Sequence, residues 1–161
     1  ILAFTYPFMK RITYWPQLFL GLTFNWGIVM AYAAVNNYIS PEILILYTSA
    51  IFWTLGYDTI YGTQDIADDE IIGIKSTSIK FKNNIKLFVG FCYILSFSLV
   101  VFLFYNKFGL NSFSLLMIIY LLSLMYQIKK FKKNKPQECL KIFKINNFSG
   151  FFLFLAIYLI N

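Results

Sequence analysis

Five apolar runs of 15 to 20 residues, set apart by polar segments, constrain this chain more than any other feature. They extend roughly from Pro16 to Val35, Pro41 to Tyr57, Lys86 to Tyr105, Asn111 to Ile128 and Asn146 to Ile160. A helix of that length just crosses the roughly 30 Å of hydrocarbon in a bilayer. Hydrocarbon offers no partner to backbone amides and carbonyls, so a spanning segment must bond itself, and these runs are expected to be helices. Pro16 and Pro41 fall at helix starts, where a missing N–H is harmless. Only 13% of the residues are charged, against about a quarter in soluble domains. The expected fold class is therefore all-α, a multi-span transmembrane helical bundle, with residues 1–161 forming part of one domain.

Charge placement gives an orientation. Lys10 and Arg11 precede the first run, and Lys75, Lys80, Lys82 and Lys86 follow the second. Lys129, Lys130, Lys132, Lys133, Lys135, Lys141 and Lys144 separate the fourth from the fifth, and only Lys107 falls in an alternate loop. Basic residues favour the cytoplasmic side. Arg11, the 58–86 loop and the 129–144 loop are accordingly expected in the cytoplasm. The net charge of +7 then reads as a topology signal, and no nucleic-acid partner is expected from the Lys-rich stretch.

The chain has no histidine, which excludes His-held metals, His-ligated haem and triads built on an imidazole base. Cys92 and Cys139 stand far apart without C-x-x-C spacing, so neither a disulfide nor a zinc site is indicated. Ile1, not Met, opens the chain inside an apolar run. The expectation is a piece of a longer product, with Ile1 to Met9 as the tail of an earlier span rather than a signal peptide.

Acidic residues are scarce and clustered. Of seven, five fall within thirteen positions: Asp58, Asp65, Asp68, Asp69 and Glu70, in YDTIYGTQDIADDEIIGIKSTSIKF. A helix continuing from Trp53 through this stretch would align Asp58, Tyr61, Asp65 and Asp69 along one stripe. Carboxylates on one face repel unless a cation bridges them, and an all-oxygen set without His or Cys favours Mg²⁺ or Ca²⁺. Magnesium takes one or two carboxylates and completes its shell with water and substrate phosphate, so the pattern suits a diphosphate held through Mg²⁺. The competing reading is a solvated acidic loop. Gly73, Lys75, Ser76, Thr77 and Ser78 weigh against it, because they follow directly and offer donors for phosphate oxygens. The spacing of an EF-hand is absent.

Lys10 and Arg11 form a second candidate. On position alone an ordinary cytoplasmic anchor is the better reading, although a guanidinium at a helix mouth also clamps a carboxylate in two-pronged fashion.

The acidic stretch resembles the second aspartate-rich motif of the UbiA-type intramembrane aromatic prenyltransferases, D-x-x-Y-x-x-x-D-x-x-D-D-x-x-x-G-x-K-S-T. Asp58, Tyr61, Asp65, Asp68, Asp69, Gly73, Lys75, Ser76 and Thr77 carry the match. YPFMKRITYWPQLFLGLTFNWG looks like a run of the 4-hydroxybenzoate branch, with Tyr6, Pro7, Lys10, Arg11, Thr13, Pro16, Gln17 and Gly21 in register. The similarity extends to the late NNFSGFFLFL segment. It implies transfer of a polyprenyl group from polyprenyl diphosphate to the ring of 4-hydroxybenzoate, ortho to the hydroxyl, in ubiquinone biosynthesis. Asp65, Asp69 and Asp68 would serve the metal, with Mg²⁺ as cofactor. Asp58 would support that site, and Lys75 would neutralise diphosphate. Arg11, with Lys10 nearby, would face the aromatic carboxylate. Tyr57, Tyr61, Lys75, Ser76 and Thr77 would contact substrate.

The resemblance also implies a nine-helix fold with a first motif, N-D-x-x-D-x-x-x-D, which nothing in this sequence matches. A chain without it is expected to be inactive alone, unless a separate N-terminal half supplies it. The rival readings are a cation transporter and a catalytically inactive remnant or membrane scaffold. Against the transporter, the acids sit at a helix end beside Lys-Ser-Thr and not at mid-span. A bacterial inner membrane is the expected location, with the mitochondrial inner membrane as the alternative.

Overall fold

A computed structural model describes residues 2–132 and 135–160; Ile1 and Lys133, which entered the sequence reading, lie outside them. The described residues form helices with no strand. In chain order these are α1 (Leu2–Ile12), α2 (Pro16–Phe24), α3 (Trp26–Asn36), α4 (Pro41–Tyr61), α5 (Ile66–Ile72), α6 (Thr77–Lys80), α7 (Ile85–Leu103), α8 (Ser112–Lys130) and α9 (Pro136–Tyr158), with one 3₁₀ turn at Tyr105–Lys107. Five segments are long and apolar enough to cross a membrane: Pro16–Asn36, Pro41–Tyr61, Ile85–Leu103, Ser112–Lys130 and Gln137–Tyr158.

Local chemistry explains the ends. Ser40 caps α4 by accepting from the Ile43 amide at 3.4 Å, with Pro41 in the first turn. Asn111 caps α8 in the same way, accepting from Ser114 at 2.9 Å. Both side chains satisfy an amide that has no partner inside the helix. Two boundaries differ from the sequence reading. The first span is broken between α2 and α3 at Asn25, whose amide nitrogen donates to the Gly21 carbonyl, the Ala50 carbonyl and the Thr54 hydroxyl. The last helix begins at Pro136 rather than near Asn146. Lys141 and Lys144 break the apolar run in sequence, but in the helix both are exposed, and long lysine stems lie along apolar surface with their ammonium in water.

α4 is the hub, packing against α7, α2, α9 and α3, while α8 pairs with α9. Its contact with α7 is close because Gly56 has no side chain: a Cβ there would meet the Tyr93 ring at 2.5 Å. Hydrogen bonds tie the spans laterally. Ser49 donates to the Ser96 carbonyl at 2.9 Å, Tyr93 to Gln127 at 2.6 Å and Trp53 to Asn146 at 3.0 Å. Gln127 in turn donates to Ser149, whose hydroxyl lies 2.7 Å from that of Ser123. Such pairs satisfy polar groups that lipid would leave bare, and they fix which helix faces meet. Outward-facing Phe91, Ile94, Leu122 and Phe154 are exposed, as expected where hydrocarbon replaces water.

Candidate functional site

The acidic stretch is not one helix. α4 stops at Tyr61, Gly62 caps it, and a turn through Thr63 and Gln64 leads into α5. The continuous stripe expected for Asp58, Tyr61, Asp65 and Asp69 is therefore interrupted. Glycine is needed at that end: a Cβ on Gly62 would lie 2.7 Å from the Ser78 hydroxyl and 3.3 Å from the Gln17 amide nitrogen. Three elements converge on a backbone without a side chain. Asp65 stands at the N-terminal boundary of α5, with its carbonyl accepting from the Asp69 amide at 2.8 Å. The two aspartates are thus still one turn apart. Gly73, at φ 77°, ends α5 in the left-handed region that suits glycine.

Asp65 and Asp68 are exposed, Asp69 is buried and Asp58 is half-buried. Burial pushes the Asp69 carboxyl above its ordinary value, Lys10 pulls it back, and Asp65 and Asp68 add to the upward push. The Lys10 ammonium acts electrostatically on both Asp58 and Asp69. Glu70 is apart from this group, paired with Lys82 at 2.7 Å. Among the described residues no three carboxylate, thiol or imidazole groups converge as a ready-made metal cage. That is compatible with magnesium, which needs one or two carboxylates and takes its remaining ligands from water and phosphate.

The basic pair is brought to the acids through the backbone. The Lys75 amide donates to the Lys10 carbonyl at 2.7 Å, and the Lys75 ammonium donates to the Ile12 carbonyl at 3.2 Å. The same ammonium lies 5.6 Å from the Tyr14 ring centroid. Lys75 thus fastens the 73–76 loop to the end of α1. Lys10 is half-buried there and Arg11 exposed, so Lys10 is the residue set against the carboxylates. The Tyr6 side chain lies outside the described set.

Ser76 and Thr77 depart from the expectation that they grip phosphate. Both are buried, as is Ser78. Ser76 caps α6 by accepting from Ile79 at 3.2 Å. The Thr77 amide donates to Gln17 at 3.0 Å, and its hydroxyl lies 2.7 Å from that of Thr59. Ser78 donates to the Thr59 carbonyl at 2.8 Å. These side chains lock α6 onto α2 and α4. Gln17, which matched the resemblance without being given a role, is central to the lock. Tyr57 and Tyr61 both lean on Phe143 of α9, with ring centroids at 5.7 and 4.8 Å. Phe143 escaped the sequence reading, since one Phe among nineteen carries no signal of its own.

Lys10 and the carboxylates of Asp58 and Asp69 thus meet at one end of the bundle. The family model described as "UbiA prenyltransferase family" matches residues 1–156. The chain belongs to that family. A UbiA-family relative from Bos taurus, named 4-hydroxybenzoate polyprenyltransferase, mitochondrial, is 41% identical over 167 residues, covering all of this chain and 44% of that protein. The 4-hydroxybenzoate octaprenyltransferase of Psychromonas ingrahamii is 40% identical over 161 residues, covering 99% of this chain and 55% of its own length. An Arabidopsis thaliana protein with the same name as the bovine one is 52% identical over 90 residues, which is 55% of this chain and 22% of that protein. The chain spans about half the length of the bovine and bacterial relatives. No solved structure matches it.

Proposed function

We propose that this UbiA-family chain contributes the second aspartate site and the aromatic-acid site to transfer of a polyprenyl group from polyprenyl diphosphate to the ring of 4-hydroxybenzoate, ortho to its hydroxyl, a step of ubiquinone biosynthesis. The observation that carries the reading is the 2.7 Å bond between the Lys75 amide and the Lys10 carbonyl. It fastens the loop that follows the acidic motif to the end of the helix that carries the basic pair. Asp65 and Asp69 would hold Mg²⁺, with Asp68 and Asp58 beside them. The metal, when bound, would supply Lewis-acid stabilisation of the diphosphate's charge. Lys10 adds positive charge felt by both Asp58 and Asp69, and Lys75 positions Lys10 and Arg11 through its two bonds to α1. The exposed Arg11 guanidinium is free to receive the carboxylate of the aromatic acid in paired hydrogen bonds. As the allylic C–O bond breaks, pyrophosphate departs with the bonding electron pair, the ring carbon ortho to the hydroxyl bonds to the cation-like carbon, and the proton displaced from that ring carbon passes to the released pyrophosphate.

In this reading the protein is multi-pass in a bacterial or mitochondrial inner membrane, with the acidic loop on the cytoplasmic or matrix side. The deciding experiment is Mg²⁺-dependent transfer to radiolabelled 4-hydroxybenzoate in membranes holding this chain, with and without an N-terminal part carrying the first aspartate motif. Transfer only with the added part would establish a split site and the acceptor. Transfer by the chain alone would confirm the substrates and show that the first motif is dispensable. Silence in both, with insertion verified, would favour an inactive remnant.

A further inference from the structure

The α8–α9 pair carries a feature that the proposed chemistry does not use. Two adjoining cavities of about 320 and 490 Å³ lie between these helices at their lysine-rich end. Lys130, Lys132 and Lys141 line the first, Lys141 and Lys144 the second, and Tyr126 lines both. The second is mainly apolar and runs down to Phe148. Tyr126 and Phe148 are 48% and 54% exposed, so the wall lies open. The one acid present, Glu138, is countered by Lys135 at 3.3 Å.

This groove opens away from the acidic site. Phe143 packs on Tyr57 and Tyr61 of α4. At 100° per residue, Lys141, Ile145 and Phe148 project from the opposite side of α9. A diphosphate held at Asp65 and Asp69 therefore has no access to these lysines. Lysines lining an apolar slot, at the level where a spanning helix leaves hydrocarbon, match one ligand chemistry: a phosphate headgroup carrying an acyl chain.

We propose that the α8–α9 groove is a binding site for an anionic phospholipid, its phosphate held by Lys130, Lys141 and Lys144 and its first acyl chain lying along Tyr126 and Phe148. Charge complementarity selects an anionic lipid over a zwitterionic one, and the apolar slot selects a lipid over free phosphate.

The test is native mass spectrometry of the full chain released from detergent, with phosphatidylglycerol or phosphatidylcholine of identical acyl chains as probes. Wild type should retain phosphatidylglycerol on the order of tenfold better than phosphatidylcholine. Combined Lys130→Gln, Lys141→Gln and Lys144→Gln should erase that preference, and the matching Arg variant should keep it. Phe148→Ala should shorten retention while the preference remains. Lys80→Gln, Lys82→Gln and Lys86→Gln remove equal charge elsewhere and should leave that preference unchanged. The proposal falls if the first Gln variant, shown helical by circular dichroism, keeps the preference, or if the control variant loses it equally. Displacement by inorganic phosphate would reduce the site to an anion patch. A lysine-dependent dimer without lipid would assign the groove to a second copy; either result overturns the proposal.

Discussion

Residues 65–69 and 75–78 are neighbours in one motif, yet they have opposite fates. Asp65 and Asp68 face outward and Asp69 lies beside them, and among the described residues no hydrogen bond or ion pair engages the three carboxylates. Ser76, Thr77 and Ser78 are wholly buried, Ser76 capping α6 and Thr77 and Ser78 bonded to Thr59 of α4. The first group has its bonding capacity open to a ligand, while the second has turned its capacity inward. A motif therefore mixes side chains that the fold leaves without a bonding partner with side chains that hold the loop in place, and the hydrogen bonds separate them.

Removing the acidic group should give the largest effect. Asp65→Asn or Asp69→Asn should lower Mg²⁺-dependent transfer in the assembled enzyme by about 100-fold or more, with thermal stability undiminished. A variant that loses activity only through unfolding would erase the contrast. Gly62→Ala should do the reverse. The new methyl displaces the Ser78 hydroxyl and breaks its 2.8 Å bond to Thr59, costing about 1–3 kcal/mol. Thr77→Val removes the hydroxyl facing Thr59 and should cost about 1–2 kcal/mol. In both, detergent melting should shift while activity per folded molecule stays within a few-fold. A selective activity loss in Thr77→Val would return that hydroxyl to the substrate.

How far these roles were legible follows from the forces involved. Apolar run length alone announces the spans, because hydrocarbon thickness admits few solutions. The Asn25 break, by contrast, rests on acceptors in α4 twenty-five and twenty-nine residues away, which no local pattern displays. The acidic residues were readable because carboxylates at a membrane end are rare and mutually repulsive. The inward turn of Thr77 was not, since a hydroxyl bonds a phosphate or a neighbouring helix equally well. Residue spacing does not reveal which neighbour arrives.

Two smaller effects sharpen the same contrast. Burial raises the folded Asp69 carboxyl above its ordinary value, so the folded chain holds that proton more tightly than the unfolded one. Without divalent ions, the destabilisation is present above the folded value and relieved as pH falls through it. Melting scans from neutral to mildly acidic pH should therefore favour wild type progressively relative to Asp69→Asn; a pH-independent difference would contradict this. Glu70→Gln loosens only a pair at 2.7 Å whose side chains are 40% and 43% exposed, and should move stability by less than about 1 kcal/mol.

The Asn25 amide also bears on how the chain enters the bilayer. One of its acceptors lies within its own segment, at Gly21, but the other two belong to α4. Released alone into lipid, α2–α3 would carry a polar break with most of its bonding unmet. Once the following helix emerges, Ala50 and Thr54 supply what is missing. The economical order of biogenesis is thus for the insertion machinery to retain the first span until α4 is made, and to release the two as a hairpin.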